Sequence, residues 1–285
     1  MIDLKISSAS SGLSEVDLVR FCSEIFPKEP MYDRFVNEAR FGLSRVVPIL
    51  PSFAGSIEVL EIGAGSCMLS AYLASKRLSV TAVEPLGPEF DFFSDLQRRV
   101  LEFCRRKGIE LRLVRATGEQ LNLPGRFDVA FTINALEHMR DPLRAIDNMY
   151  DSLKPGGIAL IHCPNYTIPF EVHFNVVLVT RSKPINQWVY RSRISRYPKV
   201  WDELNFVRYV DVHRHLVKRR ANFSFDHSVM HELAVRLMED PIFAVRMPAV
   251  VRAIGAMLRH TGLLRALSYV PPRFQTPMEV HIRKN

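Results

Sequence analysis

Between residues 55 and 165 the sequence alternates between short β-type runs and stretches with helical spacing, and this alternation restricts the possible folds more than any other feature. Predicted strands cover residues 57–62, 78–83, 109–114, 127–133 and 158–162, with a turn at 154–157 before the last of them. Helical spacing is found between them, at residues 68–73, 89–106 and 142–153. Strands that alternate with helices indicate an α/β fold, a mostly parallel sheet covered by helices on both faces.

Predicted helices flank this core on both sides and divide the chain into residues 1–54, 55–165 and 166–285. The first part is expected to be a helical cap, with helices at residues 14–26 and 31–47 and Ser14 as an N-cap. Residues 164–200 are rich in aromatic, basic and proline residues, and we expect a lid there. Beyond it we predict helices at 200–220, 228–239 and 242–267, a strand at 222–225, and a final edge strand at 278–283.

Composition argues against a membrane-spanning or secreted protein. No apolar run approaches the roughly 20 residues that cross a bilayer, and residues 1–11 lack the apolar segment of a secretory signal. We therefore expect a cytoplasmic protein without a transmembrane segment. The four cysteines form no C-x-x-C pair, so we expect reduced thiols and no metal site.

The positive charge of the chain is confined to its C-terminal part. Residues 1–165 carry 19 Lys and Arg against 21 Asp and Glu, whereas residues 166–285 carry 19 against 9. An excess of +10 suits an anionic substrate, a nucleic acid or a membrane surface, and it equally suits a solvated basic face. The sequence leaves these alternatives open, and it leaves the oligomeric state open as well.

A glycine turn follows the first predicted strand and provides the clearest functional signal. Gly63 and Gly65 lie between that strand and a helix, and Glu84 follows the second strand. In nucleotide-binding α/β folds such glycines let the backbone approach a ligand, while an acid at this place accepts hydrogen bonds from ribose hydroxyls. Met68 occupies the third glycine position of the dinucleotide fingerprint, which argues against a bound pyrophosphate.

Several motifs, in order and over about 110 residues, resemble those of class I S-adenosylmethionine-dependent methyltransferases of the ubiquinone/menaquinone-methylase-like branch. They are Val59-Leu-Glu-Ile-Gly-Ala-Gly, Ala82-Val-Glu-Pro, Phe127-Asp-Val-Ala-Phe, Leu136-Glu137-His138 with Asp141-Pro142, and Leu153-Lys-Pro-Gly-Gly. The resemblance implies a Rossmann-like, seven-stranded, mostly parallel sheet with an antiparallel last strand. It also implies S-adenosyl-L-methionine as cofactor.

The resemblance further implies a set of cofactor-binding residues: Glu61, Gly63, Gly65, Glu84, Thr117, Gly118 and Asn134. The glycines would lie under the methionine part of the cofactor, and Glu84 would bind the ribose diol. Thr117 and Gly118 would border the adenine, although the family usually has an aspartate where Thr117 stands. Asn134 would line the pocket near the sulfonium, and Glu61 has a partly structural role in the family.

The segment from Cys163 to Phe174 begins at the end of the fifth strand and resembles a segment of methyltransferases found among bacterial surface-polysaccharide functions. In it, His173 is the candidate general base, because an imidazole titrates near neutral pH. Glu171 would orient His173 or act as the base itself, and His138 is the second candidate. Asn165 and Tyr166 are candidate contacts for the methyl acceptor.

The sequence therefore predicts a methyltransferase acting on an oxygen or nitrogen of a small molecule or glycan, the latter in lipid-linked form if the basic region meets a membrane. A nucleic-acid methyltransferase is the alternative suggested by the basic region, though no RNA-binding module is recognisable. A non-catalytic cofactor-binding protein is a third reading. A metal-dependent catechol-type enzyme is disfavoured, because the Asp147-Asn148 pair falls inside a predicted helix.

The basic C-terminal helix is open to two interpretations. Among Arg246, Arg252, Arg259 and Arg265, only Arg252 and Arg259 share a helical face. That spacing favours a lid helix packed on the core over a helix that lies on a membrane surface.

Overall fold

The computed structural model of the protein describes residues 13–26, 30–50, 56–85 and 91–285. A seven-stranded sheet is its centre, in the order β3-β2-β1-β4-β5-β9-β8. The strands are β1 (Glu58–Ile62), β2 (Ser79–Val83), β3 (Leu111–Val114), β4 (Phe127–Ile133), β5 (Leu153–Cys163), β8 (Asn222–Phe225) and β9 (Met278–Arg283). Strands β1 to β5 are parallel, and β9 is antiparallel to both of its neighbours. The predicted α/β class with a mostly parallel sheet is confirmed.

Helices cover both faces of this sheet. They are α1 (Glu15–Ile25), α2 (Pro30–Val46), α3 (Met68–Ser75), α4 (Asp91–Lys107), α5 (Pro142–Ser152) and α9 (Tyr209–Lys218). Helices α1 to α4 pack with Val59 in one core, and α5 and α9 pack with Leu60 in the other. Successive side chains of a strand point to opposite faces of the sheet, so the neighbouring residues Val59 and Leu60 of β1 pack in different cores. Residues 1–11, the boundary predicted at residue 54 and the helix start predicted at residue 89 lie outside the described part of the chain.

The first helix is tied to the core by its N-cap, as the sequence predicts. Ser14 accepts a hydrogen bond from the Asp17 amide. The backbone of Ser14 also exchanges two hydrogen bonds with the hydroxyl of Tyr72, at 3.0 and 2.9 Å. Because Tyr72 lies in α3, the cap of α1 is fixed against the helix that follows the glycine turn.

The predicted turn at residues 154–157 is a bulge within β5. The register of β5 against β4 shifts between Phe127 and Val129, and Gly156 has a φ of 79°. Gly156 donates a hydrogen bond to Lys284, and Gly157 accepts one from it. The local sequence of residues 154–157 indicates only a turn. Their hydrogen bonds to the backbone of Lys284 keep them in the sheet.

The final strand is not at the edge of the sheet, contrary to the sequence prediction. Strand β9 lies between β5 and β8, and β8 forms the edge. The carboxylate of Glu279 in β9 is 1% exposed and accepts a hydrogen bond from Arg45 of α2 at 2.7 Å. This ion pair allows a charged residue to occupy an interior strand.

The predicted lid consists of short elements around its own small core. They are β6 (Phe170–Glu171), β7 (Val176–Val177), α6 (Lys183–Val189), α7 (Arg191–Ile194) and α8 (Pro198–Glu203). Strands β6 and β7 form an antiparallel hairpin. The fully buried Trp201 packs edge-on against Phe174 and Phe206 and joins the hairpin to α8.

The single helix predicted at residues 200–220 is wrong, because the chain is extended between α8 and α9. Asn205 donates to the carbonyls of Leu136 and Met139 through its side chain and to that of Glu137 through its amide. Its side-chain oxygen accepts from the amide of Val207. These hydrogen bonds to a distant loop replace those of a continuous helix.

The C-terminal helices form an outer layer. They are α10 (Val229–Glu239), α11 (Pro241–Arg246) and α12 (Ala249–His260), followed by a 3-10 segment, Leu263–Tyr269. Helix α12 has one buried residue, Gly255, which faces Leu237 of α10. The prediction of a core-packed lid helix is therefore wrong for α12, which exposes most of its apolar side chains. No helix of the described residues has the length and apolar character needed to span a bilayer.

Candidate active site

The glycine turn lies where strands β1 and β2 end. The amides of Gly63 and Ala64 both donate to the carbonyl of Val83, which binds the turn to the end of β2. Gly63 has a φ of 78°, and a Cβ there would lie 2.3 Å from the Cβ of Ala135. Glycine is thus required by both conformation and space, and the loop after β4 contacts the turn directly.

Glu84 binds the turn on its other side. Its carboxylate accepts a hydrogen bond of 2.7 Å from the amide of Gly65 and is largely buried. Gln97 of α4 donates to the carbonyl of Gly65 at 2.8 Å. Glu84 and Gly65, chosen from sequence as cofactor contacts, are therefore brought together, and Gln97 is a supporting residue that sequence reasoning missed.

Glu61 lies beneath the turn and accepts a hydrogen bond from the Ser70 hydroxyl of α3. Burial, reinforced by the neighbouring carboxylate of Glu84, raises the pKa of Glu61 to about 8 despite this hydrogen bond. The hydrogen bond to α3 supports a structural role for Glu61. With this raised pKa, Glu61 is protonated at neutral pH, so the negative charge at the turn comes from the carboxylate of Glu84.

Thr117 and Gly118 form the turn after β3. The amide of Thr117 donates to the side chain of Gln120, and a Cβ on Gly118 would lie 2.9 Å from the sulfur of Met139. Asn148 of α5 donates to the carbonyl of Gly118 at 3.0 Å. The hydrogen bond from Asn148 therefore joins helix α5 to the loop that the family resemblance assigns to adenine binding.

Asn134 continues the same edge of the sheet. It is exposed, has a φ of 51°, and its amide donates to the carbonyl of His162 in β5 at 2.8 Å. Asparagine tolerates this left-handed conformation better than most residues. Its position between the ends of β4 and β5 agrees with the predicted pocket lining.

The lid places a carboxylate–imidazole pair beside the loop after β4. The Nδ1 of His173 is 2.6 Å from Oε1 of Glu171, whose side chain is fully buried. Glu171 also accepts from the amide of Phe174 at 2.8 Å and from the hydroxyl of Tyr166 at 3.2 Å. Burial opposes ionisation of Glu171, but the hydrogen bond and electrostatic attraction of the His173 ring, with the amides of Phe174 and His173, outweigh it and lower the pKa of Glu171. The ionised carboxylate assigns the Nδ1 proton to His173 and leaves Nε2 as the basic nitrogen.

The two candidate histidines are neighbours. The rings of His138 and His173 are 5.0 Å apart, edge to face. Burial, followed by repulsion from the His173 ring when that ring is protonated, lowers the pKa of His138 to about 4. His138 is therefore neutral at pH 7 and a weak proton acceptor, so the geometry favours His173 as the base.

Two carboxylates near His138 were not singled out from sequence. Glu137 is 1% exposed, its Oε2 has no hydrogen-bond partner among the described residues, and burial raises its pKa to about 7. Glu203 of α8 lies 3.9 Å from Nδ1 of His138. The signal for Glu137 is its place in the motif after β4, whereas nothing local in the sequence relates Glu203 to this loop.

Glu137, His138 and His173 also bring three ligand-type atoms within 4.8 Å of one another. One carboxylate and two imidazoles are a donor set that divalent transition metals accept. The expectation of no metal site stays a prediction.

Asn165, a predicted acceptor contact, is engaged in holding the chain together. It is 1% exposed, donates to the carbonyls of Arg273 and Gln275, and accepts from the amides of Thr167 and Tyr209. All of its amide hydrogen-bonding groups thus have backbone partners. This favours a structural role for Asn165 and leaves Tyr166, through Glu171, as the residue of the pair that belongs to the candidate site.

Comparisons with known proteins agree with this architecture. The family model described as "Methyltransferase domain" matches residues 32–210. An uncharacterized protein of Mycobacterium tuberculosis (strain ATCC 25618 / H37Rv) is 31% identical over 259 residues, which cover 87% of this chain and 85% of the relative. The ubiquinone biosynthesis O-methyltransferase of Rickettsia prowazekii (strain Madrid E) is 27% identical over 111 residues, 39% of this chain and 41% of that protein.

A solved structure shows the same fold. It is the phosphoethanolamine N-methyltransferase 2 of Haemonchus contortus, in complex with S-adenosyl-L-methionine, with a TM-score of 0.52 and 15% sequence identity. The match covers 96% of this chain and 58% of that longer chain. The chain belongs to the methyltransferase domain family, and the resemblance of its motifs to class I S-adenosylmethionine-dependent methyltransferases is confirmed.

Proposed function

We propose that the protein transfers a methyl group from S-adenosylmethionine to an oxygen or nitrogen of a small molecule or glycan. The observation that carries the proposal is the continuous edge formed by the ends of β2, β1, β4 and β5. Glu84 and the glycine turn occupy one end of this edge, and Asn134 its middle. The Glu171–His173 pair of the lid lies beyond it, next to the loop after β4.

The residues of the turn fit this cofactor. S-adenosylmethionine supplies a methyl group that is already activated on a sulfonium cation. The carboxylate of Glu84 suits the two ribose hydroxyls as an acceptor. Because Glu61 beside it is protonated at neutral pH, the carboxylate of Glu84 provides the negative charge that favours a ligand with cationic groups and no phosphate.

His173 is the residue that we assign to proton removal from a hydroxyl acceptor. Glu171 holds the Nδ1 proton, and Nε2 is the nitrogen that accepts. The side chain of His173 is 27% exposed, so an acceptor can reach it, while the carboxylate behind it is inaccessible to solvent. The hydroxyl of Tyr166 and the amide of Phe174 fix that carboxylate.

The acceptor class rests on two supports. The ubiquinone biosynthesis O-methyltransferases, which share the core, are named for an oxygen acceptor. The segment from Cys163 to Phe174 resembles that of methyltransferases found among bacterial surface-polysaccharide functions. Both supports favour a hydroxyl, and the buried carboxylate behind His173 suits the removal of its proton.

Calorimetric titration with S-adenosylmethionine and S-adenosylhomocysteine tests the cofactor assignment. We expect micromolar binding by the wild type. Because Glu84 also accepts from Gly65, Glu84→Gln preserves an acceptor for the turn and removes only the charge and one acceptor for the ribose. We expect binding to weaken by about 1–3 kcal/mol, with the fold intact.

The exposed Glu110→Gln replacement is the matched control and should bind like the wild type. A well-folded wild type that binds neither compound would refute the proposal. Unchanged binding by Glu84→Gln would refute the role of Glu84.

A further inference from the structure

The outer layer of C-terminal helices carries large apolar side chains that point into solvent. We call this surface the C-terminal patch and define it by Val245, Val250, Ile254, Met257, Leu263 and Tyr269. Their exposed fractions run from 49% for Ile254 to 86% for Tyr269. Isolated exposed apolar residues are ordinary, but a concentration of them on one layer marks an interaction surface.

The patch residues of α12 form a stripe. At about 100° per residue, Val250, Ile254 and Met257 fall within about 60° of one another. The helix meets the protein through a different side, where Gly255 faces Leu237 and a Cβ would lie 3.1 Å from that side chain. The stripe is thus not the side by which α12 packs on α10.

The same segment is purely cationic. Residues 241–277 contain five arginines and no aspartate or glutamate. Arg252, Arg259 and Arg265 are exposed. Arg252 and Arg259 lie on the flank of α12 opposite the apolar stripe, with the alanines at 249, 253 and 256 between the two flanks.

We propose that the C-terminal patch binds the surface of an anionic lipid bilayer. A helix that lies with the apolar stripe toward the bilayer brings Val250, Ile254 and Met257 to the acyl boundary. The arginines of the opposite flank then reach the headgroups with their long side chains. Twelve residues of α12 extend about 18 Å, which suits a helix lying in the interface and not one crossing a hydrocarbon core of about 30 Å.

The positive charge of the C-terminal patch distinguishes among three partners: a second copy of this chain, a nucleic acid and an anionic bilayer. A second copy of this chain, seated on the same patch, would place arginines against arginines with no acid to pair them, because a two-fold interface repeats the same surface. A nucleic acid would satisfy the arginines and leave the apolar stripe without a partner. An anionic bilayer complements both parts of the patch.

Vesicle co-sedimentation of the full chain tests the proposal without reference to methyl transfer. The two probes are vesicles of equimolar phosphatidylglycerol and phosphatidylcholine and vesicles of phosphatidylcholine alone. We expect binding to the anionic vesicles at about 0.1 M salt, and strong weakening at about 1 M salt, where the screening length falls from about 10 to about 3 Å.

Two variants separate the parts of the patch. Arg252→Gln/Arg259→Gln should lower the partition coefficient about fivefold per arginine. Ile254→Ser/Met257→Ser should lower it about tenfold per side chain. Val16→Ser and Arg20→Gln remove equally exposed side chains of α1, 70% and 72% exposed, and should bind vesicles like the wild type. Because all six positions are exposed, thermal unfolding of each variant should match the wild type.

Three outcomes would overturn the proposal. One is no sedimentation with anionic vesicles at low salt, and another is sedimentation that the patch variants do not reduce. The third is salt-dependent binding to polyuridylic acid without vesicle binding, which would assign the patch to nucleic acid. Failure of any of these kinds leaves the cofactor titration of Glu84 unaffected, so the two proposals fail separately.

Discussion

The buried carboxyl of Glu61 makes the stability of the protein depend on pH in an unusual direction. Its pKa is raised to about 8, first by burial and then by the charge of Glu84. Between pH 4.5 and 8 the folded state therefore keeps a proton that the unfolded chain releases. The contribution of this group is fully present below pH 4.5 and is lost as pH rises to about 8, since the unfolded state binds fewer protons there.

The magnitude follows from the two pKa values. Each tenfold change in an ionisation constant is worth about 1.36 kcal/mol, so the difference between 4.5 and 8 amounts to about 5 kcal/mol above pH 8 and about 3 kcal/mol at pH 7. Glu61→Gln keeps an oxygen that accepts from Ser70 and removes the titration. Its stability relative to the wild type should therefore rise by these amounts between pH 4.5 and 9.

Urea unfolding of both proteins at a series of pH values measures this difference, in which the titrating groups that do not interact with Glu61 cancel. The exposed Glu110→Gln variant, which also loses one carboxylate, should show a constant offset from the wild type. Parallel curves for the wild type and Glu61→Gln would refute the reasoning, because they would mean that Glu61 has the same pKa in the folded and unfolded states.

Two further predictions concern the frame around the site. Burial opposes ionisation of Glu279, but hydrogen bonds from His162, His281 and Arg45 outweigh it and lower the pKa of Glu279. The ionised carboxylate therefore stabilises the protein above its unfolded-state pKa, and this stabilisation is lost as pH falls through its folded-state pKa. Glu279→Gln should therefore cost about 3–5 kcal/mol in chemical denaturation at pH 7 and progressively less in acid, and a loss below about 1 kcal/mol at pH 7 would contradict this. Gly63→Ala should abolish binding of S-adenosylmethionine and lower the free energy of unfolding by about 1–3 kcal/mol more than Gly125→Ala does. At Gly125 the φ is also positive, but no atom lies within 4 Å of the position that a Cβ would take. Equal unfolding free energies for the two variants would contradict the steric account.

The sequence predicts the order of the elements because the signals for them are local. The runs at 127–133, 222–225 and 278–283 coincide with β4, β8 and β9. The place of β9 in the sheet is not local, since it depends on Arg45 pairing with Glu279 across 234 residues. Likewise, the break between α8 and α9 depends on Asn205 meeting the loop at residues 136–139. The packing of α12 is not local either: the spacing of its arginines predicts a core-packed helix, but an apolar stripe has the same spacing whether it faces a core or solvent.

The two halves of the candidate site differ in the same way. On the donor side, Gly63, Gly65 and Glu84 each stand directly at the end of a strand, so the parallel sheet alone brings them together. On the acceptor side, His173 and Glu203 reach His138 from the lid hairpin and from α8. No pattern of periodicity relates these segments, and only the packing of the lid does.

We expect acceptor choice to depend on the lid, and two asparagines fix the position of the lid. Asn165 joins the end of β5 to the backbone before β9, and Asn205 joins the chain after α8 to the loop after β4. Each has its amide nitrogen and oxygen bonded to backbone groups, so each fixes a loop without offering a group to the ligand. Along the chain the Glu171–His173 pair lies between these two asparagines, and His173 packs against His138 of the loop after β4. We therefore expect that changes within the hairpin can alter the acceptor while the donor side stays constant, because both asparagines lie outside the hairpin that carries Glu171 and His173.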